Sequence, residues 1–180
     1  MNVLRPVLAV LSAAAIHAAA PSAQASESES LARALLTSSR IEFLDYQISG
    51  RKDRATALDN ILQTVNGTAV RRSYYGRAPG GTTSLDSRMH RALYSLAREG
   101  YSFRITSLAG GSHCSTSRHY DGLAFDIDKL NGRKIGTSHP LYQRFLARCR
   151  ELGATQVFGP GTRGHSRHLH IAWSRTGKKK

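Results

Sequence analysis

Ser117-Arg118-His119-Tyr120-Asp121-Gly122-Leu123-Ala124-Phe125-Asp126 is the stretch on which the fold and chemistry of this chain turn. Leu123, Phe125 and Ile127 alternate with Ala124, Asp126 and Asp128, the period of a strand buried on one face. Asp126 therefore shares a face with Ala124 and Asp128. His119 comes from the turn before that strand, with Gly122 bending the chain between them. A second alternation runs from His168 to Trp173. There His168 and His170 point one way, and Leu169, Ile171 and Trp173 the other. Two neighbouring strands would aim Asp126 and His170 into one cleft, with His119 delivered by the turn. Two imidazole nitrogens and one carboxylate oxygen, with a fourth position left to water, are the donors of an open zinc site. Such a metal brings the pKa of its water toward ~7. Ala124 is small, which leaves room beside it.

Outward from this stretch, the other elements follow from period and punctuation. Leu85, Met89, Leu93 and Leu96 recur at helical spacing, Thr83 and Asp86 suit a helix start, and Gly100 ends the run. Tyr101, Phe103 and Ile105 alternate with Ser102, Arg104 and Thr106 as a strand, and Gly110-Gly111 open a loop carrying His113. Pro140 suits the first turn of another helix, with Leu141, Phe145, Cys149 and Leu152 as its apolar stripe. Arg144, Arg148 and Arg150 face out, and Gly153 caps it. Thr155 to Phe158 reads as a short strand and Pro160 to Gly164 as a turn. Earlier in the chain, Ala55 to Val65 reads as a helix closed by Asn66-Gly67, and Leu31 to Leu36 as a helix start. Ser26 to Ser30 reads as a loose polar leader. His90 reads as a helix-surface residue, His139 as a helix-start residue, and Asp121 and Asp128 as structural or solvated. Helices and strands that do not alternate as β-α-β units predict an α+β fold, a small mainly antiparallel sheet backed by helices.

The first 25 residues read as a signal peptide. Arg5 gives a positive start, Val7 to Ile16 form an apolar run too short to span a bilayer, and Ala23-Gln24-Ala25 is an A-x-A cleavage site. The mature chain would begin at Ser26 and be exported, to the periplasm or the medium. No other segment reads as transmembrane. Residues 26–81 then form an N-terminal extension packed on the catalytic domain, 82–175 the zinc-site domain, and 176–180 a basic tail. Cys114 and Cys149 are the only cysteines. Outside the cell they can pair in one way, removing roughly 4 kcal/mol of unfolded-chain entropy. The alternative is two buried thiols, since Cys149 lies on the apolar stripe of its helix.

The formal net charge is +14. Long-range attraction to anionic wall polymers is one consequence of it, and a solvated basic surface is the other. Aromatic residues are not interleaved with basic ones in any recognition pattern, so nucleic acid is not an expected partner. Nothing in the sequence sets the oligomeric state.

Ser117, His119, Gly122, Ala124 and Asp126 fall at the spacing S-x-H-x-x-G-x-A-x-D. The chain in this respect resembles the zinc D-alanyl-D-alanine peptidases. Their wider group (LAS) includes the penicillin-insensitive murein endopeptidase, phage L-alanyl-D-glutamate endolysins and the hedgehog signalling domain. The later His168-x-His170 resembles the second motif of that group. The resemblance covers roughly Leu85 to Trp173. It implies His119, Asp126 and His170 as ligands of Zn2+, and a hedgehog or D-Ala-D-Ala peptidase-like fold with the metal in an open groove. It also implies a substrate among peptidoglycan stem peptides or cross-links, cut as a carboxypeptidase or an endopeptidase would cut them. Ser117 would sit at the substrate edge, with His113 and Arg118 beside it. Arg104 holds the position at which related proteins place a cation on the scissile carbonyl, a role for which Arg118 competes.

One position departs from that pattern. Many of these peptidases carry a carboxylate three residues before the last ligand, as general base. Here it is Arg167, which cannot take a proton. His165-x-x-His168-x-His170 resembles instead the histidine-rich murein endopeptidase branch. That makes His168, and after it His165, the candidate acid/base, as a neutral imidazole can be. A second-shell role is the competing reading of His168. The rival reading of the whole is a catalytically inactive zinc-bearing wall-binding module, and a third is a basic wall adhesin with an incidental metal site.

Overall fold

The computed structural model describes residues 23–175. The apolar run read as part of an export signal and the basic tail lie outside the described residues. The elements in chain order are α1 (Ala23–Leu36), β1 (Ile41–Phe43), α2 (Ala57–Val65), β2 (Val70–Arg71) and β3 (Thr82–Thr83). They continue with α3 (Ser87–Arg98), β4 (Phe103–Ser107), a 3-10 turn at Arg118–Asp121, and β5 (Ala124–Leu130). Last come β6 (Arg133–Lys134), α4 (Tyr142–Glu151), β7 (Gln156–Phe158) and β8 (Leu169–Ala172). The main sheet runs β1-β4-β5-β8-β7, with β6 paired to β5, and β2-β3 form a separate hairpin. Every pairing is antiparallel except β1 with β4. The fold is mixed α and β with a mostly antiparallel sheet, as the pattern of elements predicts.

α2 and α3 start where their caps put them. Thr56 and Asp59 close a reciprocal capping box at the start of α2, and Asp86 accepts from the Arg88 amide at the start of α3. One apolar core runs through the whole described chain, from Ala32, Leu35 and Ile61 through Met89 and Leu93 to Phe125, Ile127, Leu169 and Trp173. Phe145 of α4 meets Tyr101 and Phe103 edge-on at ring separations of 5.3 and 5.8 Å. Each large side chain so buried contributes roughly 1.5–3 kcal/mol.

Three expectations are corrected. Ser26 to Ser30 are not a loose leader but part of α1, which packs on α3; Glu27 pairs with Arg91 across that junction. His90 is not on the helix surface: α1 covers that flank of α3, and His90 is fully buried with Ser28 Oγ 3.0 Å from its Nδ1. Cys114 and Cys149 are neither bridged nor both buried, because Cys114 lies in an exposed loop and Cys149 in the core. No helix among the described residues is long and apolar enough to cross a membrane.

The pairing of β4 with β5 is interrupted twice. Arg104 faces Lys129, Ile105 faces Ile127 and Ser107 faces Asp126. Asp128 is thus the extra residue on β5, and Thr106 the extra residue on β4. Bulges of this kind bend a strand and re-aim its side chains. These two lie beside Asp126, on the face of the sheet away from the core.

Candidate metal centre

The first histidine is presented by a capped turn. Ser117 Oγ accepts from the His119 amide at 3.3 Å, starting the 3-10 turn, and Gly122 ends it in the left-handed region at φ 71°. A Cβ on Gly122 would lie 2.0 Å from the Ser84 carbonyl oxygen, so both conformation and space require glycine there. β5 then runs antiparallel to β8 with Asp126 directly opposite His170 and Ala124 opposite Ala172. Parity does the rest: Phe125, Ile127, Leu169 and Ile171 enter the core, and Asp126 and His170 meet on the other face.

Hydrogen-bond bookkeeping decides what these side chains present. His119 Nδ1 is 2.6 Å from the Leu108 carbonyl, which can only accept, so Nδ1 carries the proton and Nε2 is a bare lone pair in the neutral ring. His170 Nε2 donates likewise to Gln156 Oε1 at 3.2 Å, leaving Nδ1 bare. Those two bare nitrogens are 3.1 Å apart. Asp126 Oδ1 is 3.1 Å from His119 Nε2 and 2.8 Å from His170 Nδ1. Three acceptors with no proton between them repel one another unless a cation sits among them. Without a metal, a proton serves. Burial opposes a charge on His119, but the Asp126 carboxylate outweighs it and raises the pKa. Burial likewise opposes ionisation of Asp126, yet His119 and His170 hold its pKa well below the usual carboxylate range. His170 is lowered, chiefly by burial.

His113, His119 and Asp126 also offer ligand atoms within 4.8 Å of one another, a group that could hold a metal ion. The two possible sets share His119 and Asp126 and differ in the third donor. His113 lies stacked on His119, centroids 4.0 Å apart and planes within 8°. Parallel stacked rings cannot both aim in-plane lone pairs at one ion about 2 Å from each nitrogen. His113 Nε2 also donates to the Gly110 carbonyl at 3.0 Å. The geometry therefore favours His170 as the third donor and leaves His113 as a wall of the site. Burial first, and then the His119 charge, push the pKa of His113 down to about 3, so it is neutral.

The group that could hold a metal opens on a cleft of about 740 Å3. Asp126, His113, His168, Arg104 and Arg167 line it, joined by Tyr46 and Tyr75 from the N-terminal part of the chain. His168 is half-buried, just before β8, and burial lowers its pKa. His165 lies 4.8 Å from His168 and 5.0 Å from Phe158, ring to ring, with Phe158 stacked in turn on His170. Arg104 is gripped by Asp128, which accepts from Nε at 2.8 Å and from Nη2 at 2.5 Å, with Glu42 3.6 Å from Nη1.

Ser117 and Arg118 do not line the cleft. Ser117 is buried as the cap of the His119 turn, and Arg118 donates to Thr155 Oγ1 at 2.7 Å. Two groups that sequence reasoning missed orient the candidate ligand nitrogens, the Leu108 carbonyl and Gln156. A backbone carbonyl leaves no trace in a sequence. Gln156 left one weak signal, a polar residue inside the short strand read from Thr155 to Phe158; the structure makes it register partner to Ala172, on the face of β8 that carries His170. Compared with models of known families, with curated proteins and with solved structures, the chain matches none.

Proposed function

We propose that this protein is an exported zinc metallopeptidase of the D-alanyl-D-alanine peptidase type, with the corresponding fold, acting on peptidoglycan stem peptides or cross-links. One observation carries the reading. His119 Nε2, Asp126 Oδ1 and His170 Nδ1 converge within 3.1 Å, and these are the three residues that the motif resemblance implies as ligands.

Zinc held by them would polarise the scissile carbonyl and bring the pKa of a water near 7. The remaining work falls to the chain. Leu108 and Gln156 keep both ligand imidazoles in the tautomer that binds a metal. His168, neutral at pH 7 because burial lowers its pKa, takes the proton of the attacking water and delivers it to the leaving amine. Arg104, with Nε and Nη2 committed to Asp128 and Nη1 3.6 Å from Glu42, lends its positive charge to the carbonyl oxygen as it gains charge. His113 closes the side of the site behind His119.

Arg167 lines the cleft where a carboxylate base would be expected, and this favours the second reading, a zinc-bearing module that binds wall peptides without cutting them. Residues 26–180 incubated with purified sacculi, with and without a chelator, separate the two by mass spectrometry of the released peptides. The peptidase releases chelator-sensitive products whose new termini name the bond cut. His168→Ala should lower the rate by about 100-fold or more while zinc stays bound. Zinc-dependent binding to sacculi with no release would establish the module instead.

A further inference from the structure

Four consecutive residues, Leu108 to Gly111, link the metal-binding group to a part of the chain that contributes no ligand. On one side they hold histidines: the Leu108 carbonyl accepts from His119 Nδ1, and the Gly110 carbonyl accepts from His113 Nε2 and from Ser107 Oγ. On the other side three of them, Ala109 to Gly111, meet residues between β1 and β3. The Ala109 amide donates to Asn60 Oδ1 at 2.8 Å, and the Gly111 amide donates to Ser73 Oγ at 2.8 Å. Gly110 lies so close to Ala55 that a Cβ on it would be 1.8 Å from the Ala55 carbonyl oxygen.

The holding groups are themselves fixed. Asn60 and Ser73 are fully buried. Asn60 Nδ2 donates to the Arg71 carbonyl at 2.9 Å, which directs its Oδ1 at the loop. Ser73 Oγ gives its proton to Asp53 Oδ2 at 2.5 Å, so its lone pairs remain for the Gly111 amide. Gln47 Nε2 donates to Asp53 Oδ1 at 2.9 Å and to the Ala55 carbonyl at 3.0 Å, tying the carboxylate and the close backbone contact together. Every member of this buried network has a partner, which makes the loop rigid as well as satisfied.

We propose that Asn60 and Ser73 are positioning residues for the metal centre. They act through the Ala109 and Gly111 amides to fix the Leu108 carbonyl, and so keep His119 Nε2 aimed at Asp126. The proposal rests on the metal reading and goes beyond it: residues 44–73 become part of the site's machinery although none of them would touch the ion.

The test has two readouts on residues 26–180. The first is zinc affinity, by competition with a chromophoric chelator under conditions where every variant is folded. Asn60→Ala and Ser73→Ala should each weaken zinc by about tenfold or more, the low end of what partners of metal ligands contribute. Asn60→Asp, which keeps an acceptor for Ala109 but loses the donor to the Arg71 carbonyl, should recover only part of that loss. Leu35→Ala, in the core under α1, should lower stability and leave the affinity unchanged. The second readout needs no metal: at a pH above the raised folded pKa of His119, where its ring is neutral, NMR of the imidazole nitrogens should show His119 as the Nδ1–H tautomer in the wild type and a mixture of tautomers in Asn60→Ala. A wild type that binds no zinc would sink the metal reading, and the tautomer spectra would still decide the positioning. Affinities within twofold of wild type in both alanine variants, equal weakening by Leu35→Ala, or an unchanged His119 tautomer would each overturn the proposal.

Discussion

His119 and His90 are both fully buried imidazoles, and their surroundings set them to opposite chemistry. In the site, every polar atom of His119 faces a partner: Leu108 takes the Nδ1 proton, and Nε2 meets Asp126 and His170. At the junction of α1 and α3, His90 meets Ser28 with Nδ1, and its Nε2 has no partner among the described residues. Burial opposes charge at both. Asp126 outweighs it at His119 and the pKa rises, whereas at His90 burial prevails over the Asp86 charge and the pKa falls to about 4. Burial of a histidine is therefore no sign of function in itself. Acceptors that converge without protons between them are.

Removing the feature that separates the two regions should have the largest effect. Asp126→Asn keeps the shape of the side chain and takes away the charge, so that His119 comes to stand where His90 stands. Zinc affinity should fall by more than about 100-fold, beyond the range typical of groups behind the ligands. The rise in Tm expected of the wild type on adding zinc should vanish with it. Unaltered affinity in a chelator competition would show that the carboxylate is not what distinguishes the site.

An intermediate effect should appear in acid at His90. Its folded pKa lies below the unfolded value near 6.5, so as the pH falls the unfolded chain takes up a proton that the folded chain refuses. Stability should decline from about pH 6.5 to about pH 4, by roughly 3 kcal/mol in full. Urea unfolding of wild type and His90→Leu at pH 7 and pH 4 measures it, the leucine variant losing that much less on acidification. Parallel losses in the two proteins would mean that His90 titrates freely. In metal-free protein the raised pKa of His119 has the opposite sign: its contribution is present in acid and lost as the pH rises through the folded value.

The smallest effect belongs to Ser28→Ala, which leaves both nitrogens of His90 without a partner. A cost of about 1 kcal/mol in chemical denaturation is expected, with zinc affinity unchanged. A weakened metal would show that the helix junction and the site are not independent.

What was legible in the sequence was whatever repeats. The alternation around Asp126 and His170 placed them on one face, and the register confirms them as directly opposed. The stripe of α3 was visible in Met89, Leu93 and Leu96. The burial of His90 was not, because it depends on α1 lying over a second flank of the helix. The short strands β1, β2, β3 and β6 have two or three residues each, too few to show a period. The N-terminal segment was opaque for a different reason. Asn60 and Ser73 meet Ala109 and Gly111 across 49 and 38 positions by single hydrogen bonds, and nothing local in a sequence announces such a bond. The disulfide alternative could not be settled from two cysteines, since pairing depends on where Cys114 lies, and it is out in an exposed loop.

Asp126 and His170 are 44 positions apart in the chain and opposed across two central strands. A cation held between them would be a crosslink between β5 and β8, closing a long loop at a pairing that folding reaches late. Its consequence lies in the barrier to opening. The strands could part only after the ion was released, so loading the site would slow unfolding far more than it would hasten folding. A chain so loaded would hold its shape by the slowness of that exit.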